Sequence, residues 1–195
     1  MSTEPVRLAV VIGSVREGRF GPTVAHWIAD EARKRPEFDV DLIDLADARL
    51  DTAGPTAEPG SRTKELLREV SPRLAAADAF TVVTPEYNHS FPAGLKNLID
   101  WHHSEWHAKP VGFVSYGGIS GGLRAVEQLR LVFAELHAVT VRDTVSFHMA
   151  WERFGEDGRP TDPEGHGAAA KTLLDSLYWW ADALREARRR QPYAA

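Results

Sequence analysis

At 195 residues the chain has the length of one domain, and its 43% apolar content is enough to fill a core. Cysteine is absent, which excludes disulfide scaffolds, iron–sulfur clusters, thiolate zinc sites and cysteine nucleophiles. The formal net charge is −5, with 23 Lys+Arg scattered among 28 Asp+Glu, so neither a basic face nor a nucleic-acid partner is expected.

The chain starts without a charged-then-apolar leader pattern. Its apolar runs fall well short of the ~20 residues a membrane span needs, so a soluble, cytoplasmic protein is expected. Leu8 to Ile12 is a continuous apolar run closed by Gly13, the pattern of a strand buried on both faces. From Pro22 to Arg35, Val24, Trp27, Ile28 and Ala32 recur at helical spacing, and Pro36 ends the helix. Val40 to Leu45 reads as a second strand near a sheet edge. The stretch 46–60 is rich in Pro and Gly without any period, long for a connection, and is expected to be a functional or mobile loop.

A helix follows from Ser61 with Leu66, Leu67, Val70 and Leu74 on one face; Pro72 inside it is a candidate kink or break. Ala79 to Val83 is a third strand and Pro92 opens a short helix carrying Leu95, Leu98, Ile99 and Trp101. Val111 to Val114 is a fourth strand, and Leu123, Val126, Leu129, Phe133 and Leu136 mark the next helix. Val139 to Phe147 holds a fifth strand, 154–166 is a polar Gly/Pro segment, and Leu173, Leu177, Trp180 and Leu184 stripe the last helix. The run Arg188 to Arg190 reads as a solvated end beside the helix dipole. Strands alternating with helices predict a doubly wound parallel sheet whose ligands bind at the carboxyl ends of its strands.

Three segments follow such strand ends. In Gly13 to Thr23, small residues leave N–H groups free at a helix start, and Arg16 and Arg19 add planar donors suited to phosphate oxygens. Neither common nucleotide fingerprint is present, and a solvated arginine pair in an ordinary turn is the plainer alternative. In Thr84 to Asn97, two prolines stiffen a loop in which Tyr87 offers an apolar face and Asn88 offers paired donors and an acceptor. The plainer alternative there is a strand-to-helix turn with Ser90 near the cap and Asn97 as a buried hydrogen-bonding residue. In Ser115 to Gly122, four glycines permit positive φ and the close approach of a flat ligand, or simply a flexible turn.

The motifs GSVREGR, TPEYNHSFPAGLKNLIDW and SYGGISGG together resemble the NAD(P)H-dependent FMN reductase family, over about residues 7 to 147. The resemblance implies a flavodoxin-like three-layer α/β/α sandwich with a five-stranded parallel sheet, one FMN-binding domain over residues 1–195. It implies FMN as cofactor, with NADPH or NADH as co-substrate. Ser14, Arg16, Arg19, Phe20 and Gly21 would hold the phosphate. Pro85, Glu86 (through its backbone), Tyr87 and Asn88 would line the ring and ribityl chain, and Ser115, Tyr116, Gly117 and Gly118 the pyrimidine side. Lys96 and Asp100, four apart, look like a helical ion pair.

The implied activity is ping-pong hydride transfer to a quinone, azo compound or similar small acceptor, without a catalytic side chain or a metal. The amides of the helix starting near Ser120 would stabilise the negative charge of the reduced flavin. A homodimer or tetramer is implied, with the flavin site at the interface. Alternatives on the same fold are a flavodoxin-type electron carrier and a reductase supplying reduced FMN to a partner monooxygenase. His102, His103 and His107 are expected at an interface or over the flavin edge rather than on a metal. Of the adjacent Trp179 and Trp180, one is expected to be exposed.

Overall fold

The computed structural model describes residues 4–52 and 54–194. Its elements alternate as the sequence predicts: β1 (Val6–Ile12), α1 (Gly21–Arg33), β2 (Phe38–Asp44), α2 (Ser61–Ala76), β3 (Ala79–Pro85), α3 (Ala93–Trp101), β4 (Pro110–Gly117), α4 (Leu123–Glu135), β5 (Val139–His148) and α5 (Pro163–Arg190). All pairings are parallel and the strand order is β2-β1-β3-β4-β5, the flavodoxin-like order with its switch point between β1 and β3.

The two faces of the sheet are separated by period-two alternation. Leu8, Val10 and Ile12 of β1 pack with Trp27 and Ile28 of α1 and with Leu173 and Leu177 of α5. Ala9 and Val11, between them, join Leu66 and Val70 of α2, Leu98 of α3 and Phe133 of α4. This is why the central strands read as unbroken apolar runs.

Several expectations need correction. Pro72 neither splits nor ends α2, and it lies on the exposed side of that helix. The stretch after β2 is tied down: Leu45, Ala48 and Leu50 are buried, Asn97 Nδ2 donates to the Leu50 carbonyl at 3.0 Å, and Trp101 Nε1 donates to that of Asp51 at 3.0 Å. Both β3 and β4 run further than their apolar cores, so Pro85, Ser115, Tyr116 and Gly117 are strand residues. The buried stripe of α5 runs through Leu173, Leu174, Leu177 and Ala181, leaving Trp180 outside it.

Trp179 and Trp180 are both exposed, 63% and 38%, and meet edge to face with centroids 5.0 Å apart. Arg188 is not solvated; its guanidinium donates to the Ala108 carbonyl and to Asp78. The expected Lys96–Asp100 pair is formed, with Nζ 2.7 Å from both carboxylate oxygens. Among the described residues no helix is long and apolar enough to cross a membrane.

Candidate functional site

The carboxyl ends of β1, β3 and β4 bring the three singled-out segments together at the switch point. In the first, Ser14 is fully buried and its hydroxyl meets the Tyr87 hydroxyl at 2.7 Å, joining the first loop to the second. Arg19 turns inward, donating to the Ser14 carbonyl at 3.0 Å and to Asp44, at the end of β2, at 2.6 Å. Arg16 is exposed, and among the described residues its guanidinium has no partner. The backbone N–H groups of Val15, Glu17, Gly18, Arg19 and Phe20 also lack an acceptor among those residues, and α1 starts immediately afterwards. Unused amides at a helix start beside a free guanidinium suit a phosphate dianion. The loop could therefore hold a phosphate group, with Arg19 bracing it from behind.

Phe20 packs edge-on against Tyr116 and Phe154, with centroids 6.1 and 5.3 Å away. Tyr116 lies under the loop and its hydroxyl is buried without a partner; burial drives its pKa well above the usual tyrosine value. A Cβ on Gly21 would stand 2.8 Å from that hydroxyl, so only glycine fits there.

In the second segment, Tyr87 and Ser90 exchange backbone hydrogen bonds of 2.8 and 3.0 Å. This closes a two-residue turn with Asn88 at φ 50° and His89 at φ 67°. Two positive φ values define a type I′ turn, which favours Asn at its first position but penalises His at its second. Gln128 of α4 holds the strained turn: Nε2 donates to the His89 carbonyl at 2.6 Å and Oε1 accepts from the Ser90 hydroxyl at 2.6 Å. Ser90 is therefore a clamp partner rather than a cap, and Pro92 is the residue that precedes α3.

Glu86 is held through both its main chain and its side chain. Its N–H does bond the Tyr116 carbonyl, at 3.3 Å, but its carboxylate reaches the start of α4. There it accepts from the Ser120 hydroxyl at 2.5 Å, the Arg124 N–H at 3.2 Å and the Arg124 guanidinium at 2.9 Å. Burial alone would raise this carboxyl, but the bonds from Ser120 and Arg124 outweigh it and hold the pKa below the usual carboxylate value. The Glu86 carboxylate thus sits at the positive end of α4 and pairs there with Arg124.

In the third segment the Ser115 side chain is buried and donates to the Gly121 carbonyl at 2.8 Å, so Ser115 can face a ligand only through its backbone. Gly121 and Gly122 have φ of 60° and 87°, and a Cβ on Gly122 would come within 2.7 Å of the Ser115 Cβ. Gly117 and Gly118 line the open side, and Trp151, 60% exposed, stands beside Gly118. Asn88 is exposed at the turn, and Pro85 is buried at the end of β3.

Sequence reasoning missed Asp44, Gln128 and Trp151. Asp44 was legible only as the strand residue paired with Ile12 in the parallel register. The other two act from elements distant in sequence, with no local motif to mark them.

The histidines lie elsewhere. His102 is buried; its Nδ1–H donates to the Leu98 carbonyl at 2.8 Å, and Nε2 accepts from Ser71 at 2.9 Å. His103, His107, His137 and Tyr193 cluster near the start of β4, at the far end of the strand, so none of these histidines covers a flavin edge. Among the described residues no group of three or more His, Cys, Asp or Glu is arranged to hold a metal ion.

A family model described as NADPH-dependent FMN reductase matches residues 6–152. An NAD(P)H-dependent FMN reductase of Schizosaccharomyces pombe is 38% identical over 123 residues, 60% of either chain; this chain thus spans less than two thirds of that relative's length. A quinone reductase of Escherichia coli is 34% identical over 145 residues, 71% of this chain and 75% of the other. Among solved structures, FerB, a flavoenzyme NAD(P)H:(acceptor) oxidoreductase from Paracoccus denitrificans, superposes with TM-score 0.67 at 21% identity, covering 91% of this chain and 98% of its own.

Proposed function

The chain belongs to the NADPH-dependent FMN reductase family, and from that premise we propose that it is an NAD(P)H-dependent FMN oxidoreductase acting on a quinone, azo compound or similar small acceptor. The observation that carries the reading is the first loop, with its unused amides and free Arg16 beside the start of α1. In this reading Ser14, Arg16 and the turn through Phe20 to Gly21 hold the FMN phosphate, while Arg19 keeps the loop in place through Asp44. Pro85, Glu86, Tyr87 and Asn88 flank the ring and ribityl chain. The backbone of Ser115, Tyr116, Gly117 and Gly118 meets the pyrimidine edge.

When bound, FMN supplies the hydride-transfer centre that nicotinamide and acceptor use in turn. The chain's own part is to hold, orient and exclude. Glu86 and Gln128 fix the second loop against α4, and the side-chain-free surface at Gly117 and Gly118 allows a flat group to approach. No residue here is assigned a proton transfer.

The same proposal includes a homodimer or tetramer and a cytoplasmic location, where NAD(P)H is supplied. Ile119 at 87% exposure, Leu131 at 76% and the half-covered Leu123 are exposed apolar side chains on and before α4, which burial against a second copy would cover.

Steady-state kinetics test the reading. Oxidation of NADPH or NADH by a quinone without a partner protein should give parallel double-reciprocal lines. Bound FMN without nicotinamide oxidation would instead support the electron-carrier alternative.

A further inference from the structure

At the edge of the sheet opposite the candidate flavin site, the starts of β1, β3 and β4 and the last turns of α5 enclose a cavity of about 620 Å³. Five cations line it: Arg7, Lys109, Arg185, Arg188 and Arg189. Three acids of the lining, Glu4, Asp39 and Asp78, oppose them, Glu4 pairing with Arg189 at 3.1 Å, and Asp182 behind the wall pairs with Arg185 at 3.3 Å; one positive charge is left in excess, in a chain whose net charge is −5. Asp78 is already shared, its carboxylate lying 3.5 Å from Arg185 and 3.3 Å from Arg188.

Donors remain unused. Arg185 is 6% exposed; one end of its guanidinium bonds the Glu4 and Pro5 carbonyls, but its Nε–H is buried without an acceptor. Lys109 is also 6% exposed and donates to the Leu74 and Ala75 carbonyls at 3.1 and 2.8 Å, which leaves one of its three protons free. Arg7 bonds Asp78 only through its main chain, and its guanidinium has no partner among the described residues. The free proton of Lys109 and the Arg7 guanidinium are therefore available to an acceptor that enters here.

We propose that this cavity is a second ligand site, for a phosphorylated small molecule. A phosphate presents terminal oxygens in several directions and accepts donors arriving from β1, from the start of β4 and from α5 together; a planar carboxylate serves fewer. The volume lies in the range of small-molecule sites, roughly 300–1,000 Å³, and leaves room for more than the phosphate alone. Crowding of like charge supports the reading: burial first, then the Arg188 charge, lowers Lys109 to a pKa of about 8. An anion in the cavity would relieve that crowding.

The site is independent of what the other edge binds, because seven residues of extended chain, roughly 20 Å, separate Arg7 from Ser14. The test is calorimetric titration of FMN-saturated protein with inorganic pyrophosphate at constant ionic strength, alongside Arg7→Gln. Arg7 is exposed and unpartnered, so the variant keeps the fold. The expected result is saturable binding to wild type, weakened about tenfold or more in Arg7→Gln, and weaker at pH 9 than at pH 7 as Lys109 loses its proton. Equal binding by wild type and Arg7→Gln, or heat no larger than sodium chloride produces, would overturn the proposal.

Discussion

The Glu86 carboxylate and Arg124 are joined twice, through the guanidinium at 2.9 Å and through the main-chain N–H at the start of α4 at 3.2 Å. One side chain of the second loop therefore closes a helix belonging to the third. Replacing it by Gln keeps the shape and removes the charge. Glu86→Gln should lose about 1–3 kcal/mol in urea unfolding at neutral pH. Because the folded pKa is lowered, the contribution of Glu86 is present above its unfolded pKa and is lost as pH falls through the folded value. The variant should accordingly show a flatter acid limb in a plot of stability against pH. An unchanged limb would mean that the pair contributes nothing.

Arg16 and Arg19, three apart in one loop, should separate cleanly. The Arg16 guanidinium has no partner among the described residues, and the one bond of Arg16, from its main-chain N–H to Ser14, survives truncation, so Arg16→Ala should leave the stability of the FMN-free protein within about 0.5 kcal/mol while weakening FMN binding at least tenfold. Arg19→Ala should destabilise the FMN-free protein, since it frees Asp44 and the Ser14 carbonyl. Fluorescence titration with FMN and thermal melting read the two effects.

The Gly21–Tyr116 contact gives a double-mutant cycle. Gly21→Ala places a methyl 2.8 Å from the Tyr116 hydroxyl and should cost about 1–3 kcal/mol. Tyr116→Phe removes a buried hydroxyl that has no partner and should be neutral or stabilising by itself. It should also recover part of the Gly21→Ala loss, the remainder coming from Ile12 at 3.1 Å.

Lys109 should leave a signature at alkaline pH. Its folded pKa of about 8 lies below the ordinary 10.5, so the unfolded chain binds more protons between those values. The cost of burying the charge is complete below pH 8 and is relieved as pH rises toward 10.5, by at most about 1.4 kcal/mol per pH unit. Wild type should thus gain stability relative to Lys109→Met over that window. A difference that does not change with pH would contradict the assignment.

The alternation of strands and helices and the placing of three loops at one sheet edge were legible because β1, β3 and β4 are buried on both faces and declare themselves as apolar runs; the strand order is seen only in the structure. The motif residues Ser14, Tyr87 and the 117–122 glycines were legible as a set. What escaped was long-range. Nothing local says that Glu86 uses its carboxylate on α4, or that Gln128 braces a turn with positive φ at His89. The even scattering of charge along the chain also hid the cationic cavity, which forms only when Arg7, Lys109 and the end of α5 meet across the fold. Trp180 misled because its spacing from Leu177 fits a helical stripe whose buried member is Ala181 instead.

The most direct test of the central reading is the absorbance spectrum of the purified protein, reconstituted with FMN and then mixed anaerobically with NADPH and with NADH. Bound oxidised flavin whose visible bands bleach on mixing, and return when a quinone is added, is the predicted result. Protein that binds no FMN even when it is supplied, or bound flavin that neither nicotinamide bleaches, would contradict it.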